Sequence, residues 1–329
     1  MEDKRRALIA LVLLSPLTAE LLSGSSPPLE FFFPPGFLLL VGLYGSGVLL
    51  VRELALRWDK GWPSVLLLGA AYGILEEGLI VRSFFDPGWM DLGILGEYGR
   101  WAGVNWVWSV WLTIFHGLVS IAVPIILVNL MYPSQKGARL TTDPQLLLPV
   151  LALIVITAIS PFLFEYTPEA HLYSLAVLFM VLFGLAAYAF PGDWPRMKSD
   201  APILPPSYFS AIGFLYMLFS LVIVYALPGQ GLQPYAVITL LCLLSCGALW
   251  VLINSAGRGY NEMALLALVA GLLAPFIIVS FVHEANGIIG MSLVGISYAV
   301  YLFLLMVRVG RGAPEAKARK VPIGTGKNL

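Results

Sequence analysis

Two adjacent glutamates, Glu76 and Glu77, interrupt the apolar run WPSVLLLGAAYGILEEGLIVRSFF, and His116 interrupts VNWVWSVWLTIFHGLVSIAVPIILVNL. Carboxyls held away from water can exchange protons with a reacting group, and an imidazole can shuttle a proton or orient a water. A structural reading stands beside this: one glutamate pairs with Arg82, and the histidine bonds a neighbouring hydroxyl or carbonyl. By helical rise, the glutamates lie about 8–9 Å deeper than Arg82, and His116 lies about 18 Å below the outer end of its own helix. Thr113 and Ser120 share the His116 face at i−3 and i+4. Gly117 permits close helix approach, and Pro124 permits a bend. Glu20, in SPLTAELLSGSSPP, falls one turn below the outer boundary, with Pro16 loosening the helix beneath it.

These side chains need helices to position them, and the composition says where those helices sit. Of 329 residues, 59% are hydrophobic and 12% charged, with a mean hydropathy of +0.87. A soluble globule averages about 25% charged residues and could not cover so apolar a chain. A soluble enzyme, a disordered chain and a nucleic-acid binder are therefore excluded. The expected fold is all-α, a multi-pass membrane bundle of about ten spans. They are 7–23, 37–57, 62–82, 104–131, 145–165, 170–190, 207–227, 234–254, 263–282 and 287–308. Turn chemistry marks the joints: SGSSPP at 23–28, DPGW at 86–89, YPSQKG at 132–137, PGDWP at 191–195. Residues 1–310 read as one transmembrane domain, with a polar half at 1–131 and a scaffold half at 145–308. Residues 311–329 read as a flexible basic tail on the cytoplasmic side.

Lysine and arginine favour the cytoplasmic side. With both termini inside, all 19 basic residues except Arg82 and Arg100 fall at or near the inner face, Arg196, Lys198 and Arg258 among them. The charge pattern thus agrees with an even span count and a cell-membrane location. The outer side collects acids and tryptophans. Trp89, Trp101, Trp106, Trp108 and Trp111 cluster around the third outer loop. They serve either as a headgroup belt or as an aromatic wall over a site.

Other polar features have plainer readings. Arg52 and Glu53 can pair or snorkel to the inner surface. GLYGSG at 42–47 lacks the Lys-Ser/Thr of a phosphate loop and reads as a close-packing face. Cys242 and Cys246 read as small packing residues. FVHEANG at 281–287 places His283, Glu284 and Asn286 at the last outer turn, where they read as a solvated loop or the rim of a site. Neither metal-ligand spacing such as HExxH nor a Gly-x-Ser-x-Gly nucleophile motif is present, so no metal and no cofactor are expected.

The glutamate pair, Arg82 and His116 together resemble the CPBP superfamily of CAAX-prenyl-protease-like and bacteriocin-processing membrane proteins. Its relatives include the PrsW-like proteases and a subunit of gamma-secretase. That family carries EExxxR on one helix, FxxxH on the next and a later histidine followed by Asn or Asp. The match covers residues 76–120. It departs in the spacing EExxxxR, in Leu112 at the Phe position, and in HxxN for His283 and Asn286. The resemblance implies peptide cleavage within the membrane. Glu76 or Glu77 would activate water, and His116 would hold that water or the oxyanion.

Three functions follow as expectations. The first is an intramembrane glutamate-type protease or hydrolase with an outward-opening site. Glu76, Glu77 and His116 would be catalytic; Glu20, Arg82, Trp101, Trp108, Ser120, His283 and Asn286 would contact substrate. The second is a proton-coupled transporter, which would call for matching helix breaks in both halves. The third is a non-catalytic scaffold subunit, in which the three polar residues would bind only one another. Expected partners are the bilayer, a peptide or lipid-linked substrate and, through the scaffold half, further subunits of an oligomer. Nucleic acid is not among them.

Overall fold

A computed structural model describes residues 2–192, 204–255 and 261–318, with side chains described as far as 311. Among the described residues, ten long helices dominate. The first, α1, runs over Glu2–Pro16 and continues without a break as the π-helical turn Leu17–Leu22. A short α2 (Pro28–Phe31) follows. The rest are α3 (Pro34–Arg57), α4 (Trp62–Ile80), α5 (Trp106–Met131), α6 (Pro144–Leu163), α7 (Ala170–Ala189), α8 (Pro206–Ala226), α9 (Pro234–Ser255) and α10 (Glu262–Ala285). The last is α11 (Met291–Ala318).

Among the described residues nine helices, α3 to α11, are long and apolar enough to cross a membrane. The expected tenth span, α1, carries Arg5 and Arg6 near its start and Glu20 near its end, which shortens its apolar run. It still packs inside the bundle, with Ala7, Leu11 and Leu22 buried. The last helix continues to Ala318, into the segment expected to be tail. Residues 319–329, Arg196, Lys198, Arg258 and most of PGDWP lie outside the described residues.

The bundle has a centre and a periphery. In α4 and α5, 72% and 78% of the most apolar window is buried; in α9 the share is 11%. The site-bearing helices therefore lie inside, and the later helices give most of their surface to lipid. Cys242 and Cys246 are free and exposed on α9, so they face outward instead of packing inward.

Small residues set the spacing at the centre. A Cβ on Gly69 would lie 2.8 Å from the Gly117 Cα, and one on Gly73 would lie 2.8 Å from the His116 Cβ. The backbones of α4 and α5 meet there because neither glycine presents a side chain. Pro124 cannot donate to the carbonyl of Ser120, four residues earlier. The Ser15 hydroxyl of α1 donates to that carbonyl instead, at 2.6 Å. The expected weak point of α5 is thus tied to a neighbouring helix.

At the inner end, Glu53 is fully buried and saturated. Its Oε1 accepts from Arg52 Nη1 (3.0 Å) and the Leu140 amide (2.8 Å). Its Oε2 accepts from Arg57 Nη1 (2.5 Å) and the Thr141 hydroxyl (2.8 Å). Arg52 also donates to the Gln135 carbonyl, and Arg57 donates to Asp143. Of the two readings of Arg52 and Glu53, pairing is the one realised.

Candidate functional site

The helical hydrogen-bond pattern widens where the ionisable residues sit. Glu20 lies in the π turn Leu17–Leu22, Glu76 and Glu77 in Leu75–Ile80, and His116 and Ser120 in His116–Ala122. A π turn holds an extra residue and is frequent at functional sites. A fourth π turn, Val222–Ala226, ends α8.

After the second π turn the chain leaves the helix. Arg82 has φ +69°, a left-handed conformation that non-glycine residues seldom adopt. The expected helix over 62–82 therefore stops at Ile80. Arg82 consequently does not neutralise the glutamate pair. Its Nη2 donates to the carbonyls of Ser160 (2.8 Å) and Phe164 (3.0 Å) at the end of α6. Its guanidinium lies over the Phe164 ring, 5.7 Å from the centroid.

The glutamates converge on His116. Glu77 Oε1 is 3.0 Å from His116 Nε2. Glu76 Oε2 is 3.2 Å from Nδ1, and the Ser120 hydroxyl is 2.9 Å from Nδ1. All three side chains are buried, His116 at 1% exposure and Glu76 at 2%.

Donor counting separates the two carboxyls. Trp108 Nε1–H can only donate, and it donates to Ser83 Oγ at 3.0 Å. The Ser83 hydroxyl proton is then directed at Glu77 Oε2. Glu77 Oε1 shares a hydrogen bond with His116 Nε2, and His116 Nδ1 shares one with the Ser120 hydroxyl. Glu77 is therefore held at both oxygens. Glu76 is not: its Oε2 is buried, makes no hydrogen bond among the described residues, and lies 3.2 Å from His116 Nδ1. The Tyr72 hydroxyl is likewise buried without a hydrogen-bond partner.

Aromatic rings enclose the imidazole: Phe115 at 5.5 Å, Tyr44 at 6.0 Å and Tyr72 at 6.1 Å between centroids. Tyr44 leads to the third carboxyl. Its hydroxyl donates to Glu20 Oε1 at 2.5 Å, and Ser26 donates to Glu20 Oε2 at 2.6 Å. Glu20 thus joins the site through Tyr44.

The remaining expected contacts divide. Ser120 touches His116, and Trp108 acts through Ser83. Trp101 lies on a two-stranded hairpin, β1 (Arg100–Trp101) and β2 (Val104–Asn105), and is 74% exposed. The expected helix over 104–131 therefore begins at Trp106, after this hairpin, where the Asn105 side chain caps it by accepting from the Trp108 amide. His283 lies against Gly24, and Asn286 is exposed at the end of α10. Neither of these two is placed on the glutamate–histidine cluster. Tyr44, Tyr72 and Ser83 were not singled out from sequence. The signal for Tyr72 was its place one turn before Glu76; nothing local marks the other two.

The outer loop closes over this end. Ser25 donates to Asp91 Oδ2 at 3.1 Å, and Arg100 Nη1 donates to the Phe85 carbonyl at 2.7 Å. Burial pushes the Asp91 carboxyl above its ordinary range, and the Ser25 hydroxyl opposes that shift.

A family model spans residues 9–323 of the chain. The chain belongs to an uncharacterized membrane protein family. No curated protein and no solved structure matches it. The family match covers all of the π turns and both polar clusters, and it agrees with the multi-pass membrane architecture.

Proposed function

We propose that this membrane protein is an intramembrane hydrolase in which Glu76 is the general base. The observation that carries the reading is the inequality between the two carboxyls. Glu77 is fixed by Ser83 and His116, whereas Glu76 presents an unpartnered oxygen beside the same imidazole. A base must keep an oxygen free for the proton it takes; a positioning group is used up in hydrogen bonds.

In the proposed reaction a water beside Glu76 Oε2 and His116 Nδ1 gives one proton to Glu76. Its oxygen bonds to a substrate carbonyl carbon. The carbon–nitrogen or carbon–oxygen bond then breaks, and the proton on Glu76 passes to the leaving group. Glu77 and Ser83 are positioning residues that hold the ring of His116. Two observations favour this over the other readings. The saturated Glu53 network closes the inner end, which disfavours a through-going path for transport. A pure scaffold would leave the three residues satisfied by one another, and Glu76 is not.

The test compares membranes from cells carrying wild type or Glu76→Gln at equal expression, profiling both new peptide termini and lipids. The expected result is a defined set of peptides or lipid-linked molecules that accumulates uncut in the variant. Identical profiles would overturn the proposal.

A further inference from the structure

The geometry points to a divalent first-row metal ion, Zn²⁺ or Mn²⁺, bound by Glu76, Glu77 and His116. One ligand atom from each of the three residues lies within 4.8 Å of those of the other two, and all three side chains are buried. The 3.2 Å separation between His116 Nδ1 and Glu76 Oε2 suits neighbouring ligands on one ion with bonds of roughly 2.0–2.1 Å. Sequence spacing did not reveal this set because its members come from two helices, α4 and α5.

A second observation points the same way. Glu76 Oε2, 3.2 Å from His116 Nδ1, is buried and makes no hydrogen bond among the described residues. A buried carboxyl oxygen with no hydrogen bond is a free ligand atom for a cation. The Tyr72 hydroxyl, also buried and unpartnered, supplies one more oxygen in the same surroundings. Charge agrees: three carboxyls, Glu20 included, surround one imidazole, and the nearby Arg82 is turned to α6. A buried uncompensated charge is expensive, and a divalent cation balances two of them.

The donor set selects the class of ion. One imidazole with two carboxylates suits Zn²⁺ or Mn²⁺, whereas Mg²⁺ and Ca²⁺ prefer all-oxygen shells with waters. Three protein ligands also leave a position open for a water. The inference stands apart from the general-base reading, because an ion on Glu76 Oε2 takes the oxygen that reading leaves free for a proton; the two are therefore tested separately.

The experiment uses the full chain in nanodiscs, with Cys242→Ala and Cys246→Ala to remove the exposed thiols as adventitious ligands. The protein is stripped with a chelator and dialysed. Zn²⁺ or Mn²⁺ is then titrated while bound metal and thermal midpoint are followed, with Mg²⁺ as the comparison. The expected result is one ion per chain, a raised midpoint, and at least tenfold weaker binding in Glu76→Gln. Because His116→Ala could disturb packing, the isosteric Glu77→Gln serves as the second ligand variant, and it too should weaken binding tenfold or more. Failure to bind stoichiometrically, or equal binding by wild type and both variants, would overturn the proposal. Cleavage by metal-free protein would leave the hydrolase reading standing while the metal assay alone decides this one. Conversely, tight binding without any cleavage would support the ion and remove the hydrolase.

Discussion

Glu53 and Glu76 are both carboxyls buried in the same bundle, at 0% and 2% exposure, yet their surroundings differ in kind. Glu53 has two arginines, a backbone amide and a threonine hydroxyl on its two oxygens. Glu76 has no cation but the shared imidazole, and one oxygen without a hydrogen bond. Burial alone therefore does not identify a functional acid. What separates the two is whether the fold has used all of the acid's hydrogen-bonding capacity.

The comparison can be broken most forcefully at the inner end. Glu53→Leu strands Arg52 in the interior without a counter-charge, and removing one partner of a buried pair costs about 3–5 kcal/mol. Thermal unfolding of chelator-stripped protein in nanodiscs should show that loss, while Glu76→Gln should leave the metal-free midpoint nearly unchanged. The second test reverses the readout. Once a substrate is in hand, Glu76→Gln should lower its turnover by about 10²–10⁴-fold, the usual contribution of a general base. Glu53→Gln, measured on protein that remains folded, should lower it far less. Equal effects on both measurements would erase the distinction.

A smaller effect is expected where α4 meets α5. Gly73→Ala places a Cβ 2.8 Å from the His116 Cβ. Overpacking of this kind costs about 1–3 kcal/mol, and the shift should move His116 off Glu76. Turnover should fall more than stability does. The smallest effect concerns the outer loop. Asp91 has a folded-state pKa raised by burial, so its contribution favours the closed loop below its unfolded value, near 3.8. That contribution is lost as pH rises through the folded value. Hydrogen exchange in 86–105 should therefore quicken modestly over this window, and Asp91→Asn should flatten the change.

Much of the outer cluster was legible in the sequence, because charged side chains in apolar runs stand out against the cost of placing them there. Glu76, Glu77, His116 and Ser120 came together as their helical positions suggested, and the belonging of Glu20 to the same end was visible too. The fate of Arg82 was not. A helical projection assumed that it continued the α4 spiral, whereas its left-handed backbone turns it to the carbonyls of α6. Ser83 was hidden by the same turn. It reaches Glu77 only because the chain doubles back after Ile80, and no local pattern announces that. The membrane architecture is legible in the composition, whereas α1, with Arg5 and Arg6 near its start and Glu20 near its end, is less apolar than the nine helices that follow.

The π turns carry one further consequence, best put in terms of descent. A π turn is what an α-helix becomes when it accepts a single extra residue without losing its ends. Deleting one residue from Leu75–Ile80 would restore the α-helical register. Everything on one side of the deletion would then rotate by about 100° relative to the other. The helix would keep its length within a residue and its apolar character, so its passage through the bilayer would survive. Glu76 and Glu77 would no longer both face His116. Loss of one codon at this turn would therefore take the cluster apart while keeping the bundle.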